Sequence, residues 1–425
     1  MTPAFGRVDG ALVCEGVALE TIAETVSTPT YVYSANAIRE QYARLARALA
    51  PVPHRVHYSV KASSSLGILA LLRSLGAGVD IVSGGELYRA RLAGFGGEDI
   101  VFSGVGKTEA ELREALEART LLINVESEGE LRLLERVARD LGVVAPVALR
   151  VNPEVTVNTP HHYTRTGERG LKFGIPYGEA PAVARLAASL PHTRLLGLDM
   201  HIGSQVSELD PYRLGMLRLL ELYEQLRAEG AGEIRYLDIG GGLAVTYDSE
   251  APIDLDAFAD AVLPSIAASR LTLLVEPGRF LVGNAGVLLT RVLYRKRTGG
   301  REYVITDAGM NDLLRPSHYN AYHRIEAVRP RGARVVADIV GPVCESGDFF
   351  ALDRDVDDVQ PGDLLVIHSA GAYGFSMASN YNSRPRAAEV LVDGERFGVI
   401  TTRERYEDLV RHEQLTPDWR TGGCS

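Results

Sequence analysis

From about residue 30 to about residue 285 the chain alternates short β-like runs with amphipathic helical stretches, and this alternation most constrains its fold. The runs fall at residues 55–60, 78–82, 99–102, 121–125, 146–151, 195–201, 234–239 and 271–276. Between them, stretches such as 110–118, 128–141, 180–189 and 212–229 carry apolar residues three and four apart, the spacing of one helix face. Eight such pairs suit a parallel (β/α)8 barrel, with an open doubly wound sheet as the competing layout. Polar residues favour the barrel. Lys61, Ser83, Ser103, Glu126, Asn152, His201, Gly240 and Glu276 stand at or just past the C-terminal ends of the runs, the rim where barrel enzymes place their chemistry.

Past residue 285 the rhythm changes. Runs at 287–294, 302–307, 334–340, 363–368 and 389–392 read as strands, punctuated by turn signals such as Pro361-Gly362-Asp363 and Asp393-Gly394. The expected organisation is an α/β barrel over 31–285 and a mostly antiparallel β domain over 286–425. Residues 1–30, also β-like, are expected to pack with that second domain. A length of 425 residues accommodates two such units.

Composition narrows the function classes. A net charge of −10 argues against nucleic acid as the main partner. No apolar stretch is long enough to span a bilayer, and residues 1–14 lack the apolar core of a secretory signal. Three cysteines, Cys14, Cys344 and Cys424, form no disulfide framework, so a reducing cytoplasm is the expected compartment. Without a CxxC pair, no structural zinc site is expected, and no metal is assigned.

Several segments carry chemistry. Lys61 ends the run Tyr58-Ser59-Val60 and, at a barrel mouth, can condense with an aldehyde cofactor. Gly240-Gly241-Gly242 lets backbone N–H groups approach a phosphate. His201 in His201-Ile202-Gly203-Ser204-Gln205 can stack on a flat heteroaromatic ring, while Ser204 can bond a phosphate. Glu276, beside Arg279, can keep a pyridine nitrogen protonated, the protein's share of a pyridoxal phosphate (PLP) electron sink. Cys344-Glu345 sits in a Gly- and acid-rich loop where a thiol can transfer a proton. Arg315, with Tyr319, offers a fork for a carboxylate. Each segment alone is weak, since a lone lysine is usually a surface residue and a triple glycine usually a tight turn.

Taken in order, these motifs resemble the fold-type III PLP-dependent decarboxylases, whose barrel is of the alanine-racemase type, and within them the diaminopimelate decarboxylase family. The resemblance spans Thr30-Tyr31-Val32-Tyr33 to about Arg403. It includes Ser83-Gly84-Gly85-Glu86-Leu87, Lys172-Phe173-Gly174-Ile175, Gly341-Pro342-Val343-Cys344-Glu345-Ser346-Gly347-Asp348 and Ser379-Asn380-Tyr381-Asn382. It implies that Lys61 attaches PLP, with Asp80 near the lysine and ring. His201 would stack on the ring and Glu276 would pair with its nitrogen. Ser204, the Gly241-Gly242 turn, Gly278, Arg279 and Tyr373 would hold the phosphate. Arg279, Arg315, Tyr319 and Tyr373 would contact the substrate, Glu345 its distal amine, and Cys344 would return the proton. Cys344 and Glu345 would act in a partner subunit's barrel, making a homodimer with shared sites. The implied reaction is decarboxylation of meso-diaminopimelate to L-lysine. The alternatives are a relative acting on ornithine or arginine, or a PLP-binding protein without turnover. One departure is the loop Thr159-Pro160-His161-His162-Tyr163-Thr164-Arg165-Thr166-Gly167, where Pro160 interrupts the Thr-His pair usual in the family. It leaves loop closure and substrate range open.

Overall fold

The computed structural model describes residues 4–157 and 159–420. Eight parallel strands, His54–Ser59, Gly78–Ile81, Ile100–Phe102, Leu122–Val125, Ala145–Asn152, Thr193–Asp199, Tyr236–Asp238 and Thr272–Val275, pair in sequence. Thr272–Val275 returns to His54–Ser59, through Leu273↔His54 and Val275↔Val56, and closes the ring. An open sheet would leave those two edges unpaired, so the barrel is the observed layout. Strands such as Gly78–Ile81 and Leu122–Val125 are buried along their whole length, as parallel strands covered on both faces must be.

Short βα turns aim the strand ends. Ser83, Thr108 and Ser127 each cap the helix that follows, accepting from the backbone N–H of Glu86, Glu111 and Glu130. Such caps satisfy donors that a helix start leaves unpaired. Each helix therefore starts within a few residues of its strand, and the strand-end side chains stay pointed at the barrel mouth.

The second sheet runs Phe349–Asp357, Arg334–Val340, Arg301–Thr306, Gly286–Thr298, Thr30–Ser34, Ala388–Asp393, Arg396–Thr401, with Leu364–Ile367 also pairing Gly286–Thr298 and Ile325–Ala327 pairing Leu364–Ile367. Most pairings are antiparallel, but Arg301–Thr306 with Arg334–Val340 and Thr30–Ser34 with Ala388–Asp393 are parallel. Thr30–Ser34 corrects the expected boundary. It lies between Gly286–Thr298 and Ala388–Asp393, so the first barrel element is the helix Ala35–Leu49. All five residues of this strand are buried, a pattern equally suited to either sheet, which is why sequence could not allot it.

The N-terminal residues do pack with this second sheet. Leu12, Cys14, Leu19 and Ile22 share a buried cluster with Val32, Val287, Leu289, Val366 and Val390, and Arg7 donates to the carbonyl of Val328. Phe349–Asp357 and Arg396–Thr401 had no sequence expectation, nor had the three-residue Ile325–Ala327. The first two are edge strands with several exposed positions, so their apolar alternation is weak.

Candidate active site

The site is built on the strand ends that share one mouth. Lys61 lies in a short 3-10 turn directly after His54–Ser59, and Asp80 on the adjoining strand faces Ser59 in register. The Lys61 Nζ donates to Asp80 Oδ2 at 2.7 Å, and Ser59 Oγ donates to the same oxygen at 2.8 Å. Burial alone would lower the lysine pKa, but Asp80 and then Glu276 outweigh it and hold the ammonium above its usual range. The Lys61 side chain keeps 36% of its exposure. Asp80 has no exposure. Its burial favours the neutral acid, but Lys61, Ser59 and Ser103 together hold it below the usual carboxylate range.

His201 accepts a hydrogen bond at Nδ1 from the Gly241 N–H, 3.2 Å away. Burial first, then the charges of Arg150 and Lys61, push its pKa down to about 3. The imidazole is therefore neutral, with its proton on Nε2. Glu276 is buried and accepts from Ser103 Oγ at 3.3 Å. Carboxylate oxygens of Asp199, Asp238 and Glu276 lie within 4.8 Å of one another. Burial, then Asp238 and Asp80, raise the Glu276 pKa well above normal. Arg150, 2.9 Å from Glu126 and 3.9 Å from Asp199, supplies positive charge to this acidic floor.

Arg279 begins the short helix Arg279–Val282. It donates through Nη1 to Tyr247 Oη at 2.5 Å and through Nη2 to Ser204 Oγ at 3.1 Å. Its guanidinium also lies over the Tyr373 ring, 4.7 Å from the centroid. Tyr373 is fixed by its N–H donating to the carbonyl of Ala62 at 2.8 Å, which ties the second domain to the lysine turn. Arg315 begins the helix Arg315–Tyr319 and lies over the rings of Tyr247 and Tyr319, at 5.1 and 5.9 Å. Arg279, Arg315, Tyr319, Tyr247, His161 and Thr164 line one cavity of about 260 Å3. A larger depression of about 590 Å3 lies at the opposite end of the barrel, lined by Glu98, Leu121, Pro146 and Tyr236. It is far from Lys61 in the topology and holds none of the residues above.

The loop that departs from the expected pattern is seated over this mouth. Thr166 Oγ1 donates to the His201 carbonyl at 2.9 Å, and the Ser204 N–H donates to Thr164 O at 3.0 Å. The His161 ring meets Tyr319 edge-on at 5.5 Å.

Not every expected rim residue reaches the site. Ser83 caps its helix, Asn152 Nδ2 donates to the Glu168 carbonyl, and Glu126 binds Arg150 and the Gly174 N–H. The Gly241 N–H is engaged by His201 rather than free for an anion. Cys344 and Glu345 are exposed and do not line this chain's own cavity. Ser59, Arg150, Asp199, Asp238, Tyr247 and His323 belong to the site without having been singled out from sequence. For Asp199 and Asp238 a signal existed, a charged residue inside an otherwise apolar strand run. Tyr247 and His323 sit in loops with no local cue.

This geometry can be set beside known proteins. Residues 35–283 match the family model for the pyridoxal-binding domain of pyridoxal-dependent decarboxylases. A diaminopimelate decarboxylase of Pseudomonas aeruginosa is 51% identical, with 97% of this chain and 99% of that one covered. The chain belongs to the diaminopimelate decarboxylase family. Its Aquifex aeolicus relative is 47% identical over 95% of both chains. The crystal structure of the Helicobacter pylori diaminopimelate decarboxylase, complexed with L-lysine, superimposes with a TM-score of 0.90 at 39% identity. That match covers 93% of this chain and 99% of the other.

The residues present fit PLP, the cofactor of this family. A Cβ on Gly241 would lie 2.1 Å from the Glu276 carbonyl oxygen, and one on Gly242 2.2 Å from that of Gly203. The cradle beside Ser204 is therefore open only because these positions are glycine. Arg279 Nε and one oxygen each of Asp80, Asp199 and Asp238 are buried without a protein partner. The orphaned carboxylate oxygens suit a ligand that brings a protonated nitrogen, and the orphaned Arg279 Nε one that brings an anionic group.

Proposed function

We propose that the chain is a carboxy-lyase that converts meso-2,6-diaminopimelate to L-lysine and carbon dioxide, the last step of lysine biosynthesis, using PLP. The observation that carries the reading is the coupling of two features. Lys61 is poised on Asp80, and Arg279 and Arg315 line a cavity joined to it through Tyr373 and Ala62. A lysine alone serves any amino-acid substrate. Two buried guanidiniums beside it select one with a second carboxylate, because a substrate lacking that group would leave them unpaired.

Bound PLP supplies an electron sink for the pair released when the bond from Cα to the carboxylate breaks. Lys61 would hold the cofactor through its amine until a substrate amine takes its place. His201, a neutral imidazole, would stack on the ring without adding charge there. Glu276 would pair with the ring nitrogen; burial, then Asp238 and Asp80, raise its pKa. Ser204, Gly242, Gly278 and Tyr373 position the phosphate. Arg279, Arg315 and Tyr319 grip the distal carboxylate and Glu345 the distal amine, which leaves the D-centre at the reacting end. Cys344 returns a proton to that centre.

Cys344 and Glu345 are assigned to the neighbouring subunit's site in a homodimer. Support comes from their exposure on a loop braced from below. Asp348 accepts from the Met310 and Val343 N–H groups at 2.6 and 2.5 Å and so stiffens the turn that presents them. A cytoplasmic location is supported by the sparse, unpaired cysteines, and among the described residues no helix is long and apolar enough to cross a membrane.

The test is product analysis. Purified protein with PLP is incubated separately with meso-diaminopimelate, ornithine, arginine and lysine. Lysine and carbon dioxide from diaminopimelate alone is the expected result. Turnover of ornithine or arginine in its place would refute the assignment.

A further inference from the structure

The two arginines of the cavity are not equivalent. Arg279 spends both terminal nitrogens inside the protein, on Tyr247 Oη and Ser204 Oγ, and its Nε has no partner. Arg315 is held the opposite way. Its Nε donates to His323 Nε2 at 3.4 Å, and no protein acceptor is found for its Nη atoms among the described residues. A guanidinium tethered at Nε directs its two terminal nitrogens outward, the edge that pairs bidentately with a carboxylate.

His323 is built for this task. It is fully buried, and its Nδ1 lies 2.8 Å from the carbonyl of His368. A carbonyl can only accept, so Nδ1 carries the proton and Nε2 is the acceptor that Arg315 requires. The partner carbonyl belongs to the residue just after the strand Leu364–Ile367, so the imidazole is anchored to the second sheet. The His323 ring also meets Tyr247 edge-on at 5.4 Å. Tyr247 thereby stands between the arginines, bonded to one and stacked by the other. Burial, then Arg315, keep the imidazole pKa down at about 3, so the acceptor persists through the working pH range.

We infer that His323 is a specificity-positioning residue. It fixes the tautomeric acceptor that turns the Nη edge of Arg315 toward the distal carboxylate of the substrate, beside Arg279 in the same cavity. The inference rests on the proposed diaminopimelate reading and deepens it. It assigns the orientation of Arg315 within that pair of arginines to His323.

Three variants test this in the PLP-loaded enzyme: Arg315→Met, His323→Leu and His323→Gln. Steady-state kinetics on meso-diaminopimelate are measured together with PLP content by absorbance and the melting temperature. Losing the orienting acceptor is expected to raise KM on the order of tenfold in His323→Leu. The kcat and the PLP content are expected to stay within about twofold. His323→Gln, whose side-chain oxygen can stand where Nε2 stood, is expected to recover most of the lost KM. Inhibition by D-lysine, which lacks the distal carboxylate, is expected to be the same in His323→Leu and the parent. A purely structural role would lower melting temperature, PLP content and kcat together and would not discriminate between the two ligands. That pattern overturns the inference, as does an unchanged KM in His323→Leu. If His323→Leu does not fold, His323→Gln decides: its KM is expected to stay within about threefold of the parent, and a KM as high as that of Arg315→Met overturns the inference. Failure of the parent reading looks different, because Arg315→Met itself would then leave KM unchanged.

Discussion

Replacing Gly242 by alanine should cost the protein both stability and cofactor affinity. The residue has φ +94, a backbone conformation that L side chains rarely adopt, and its added Cβ would lie 2.2 Å from the carbonyl oxygen of Gly203. Two penalties therefore combine. Left-handed backbone costs an L-residue about 1–2 kcal/mol, and forcing a methyl into a filled site costs about 1–3 kcal/mol more. A sum of about 2–5 kcal/mol is expected. Relief requires Gly203 to move away, and Ser204 follows it, so the place proposed for the phosphate widens. Gly230→Ala is the control. It also has positive φ (+68), but nothing lies within 4 Å of its Cβ, so only the first penalty applies. The assay is urea unfolding of both variants alongside PLP titration by absorbance. Gly242→Ala should unfold earlier and bind PLP at least tenfold more weakly, the equivalent of about 1.4 kcal/mol. Gly230→Ala should bind PLP as the parent does. Equal stability loss in the two variants, with PLP affinity intact, would refute the close-approach argument.

Three further outcomes are expected. Asp80→Asn removes the counter-charge 2.7 Å from Lys61. In stopped-flow reconstitution of the apoenzyme, the pH for half-maximal capture of PLP should therefore fall by roughly two units. An unmoved midpoint would show that Asp80 does not hold the ammonium. His57 is buried, and burial followed by the charge of Arg55 lowers its pKa from 6.5 to about 4. The unfolded chain takes up this proton below about pH 6.5 while the folded chain stays neutral to about pH 4. Stability is thus lost as pH falls through that window, by about 3 kcal/mol at its acid end, and a His57→Gln variant should show a correspondingly flatter profile of stability against pH. In a Cys424→Ser background, since Cys424 lies outside the described residues, Ellman's reagent should titrate Cys344 in the native protein through the opening of the shared site. Cys14, fully buried and with its pKa raised by that burial and by Glu15, should react only after unfolding. Fast labelling of two thiols would contradict this packing.

The alternation of apolar runs and helical faces established the succession of strand and helix units, while closure into a barrel rather than an open sheet was decided by the pairing of Thr272–Val275 with His54–Ser59. Each parallel strand must be apolar throughout and each covering helix amphipathic, and both demands are written locally in the chain. The same holds for the residues that sit on strand ends. Lys61, His201, Gly242 and Glu276 were legible because a strand end fixes which way a side chain points, whatever the rest of the fold does. Asp80 lies within its strand, and the family resemblance, rather than its position, brought it out. The limits of that logic show in Ser83 and Asn152, which have the same rim position yet serve a helix cap and a loop anchor. Position on the rim is a property of the sequence, whereas the partner is not.

What tertiary structure alone decided lies between elements distant along the chain. Thr30–Ser34 joins the second sheet because strands about 250 and 350 residues away flank it. Arg279 meets Ser204 across 75 residues, and His323 owes its tautomer to a carbonyl 45 residues on. These contacts set which nitrogen carries a proton and which guanidinium edge is free. Hydrogen-bond direction and burial arise only when separate segments are brought within about 3 Å of one another, so the chemistry's residue types are in the sequence, while their charge states and orientations come from the fold.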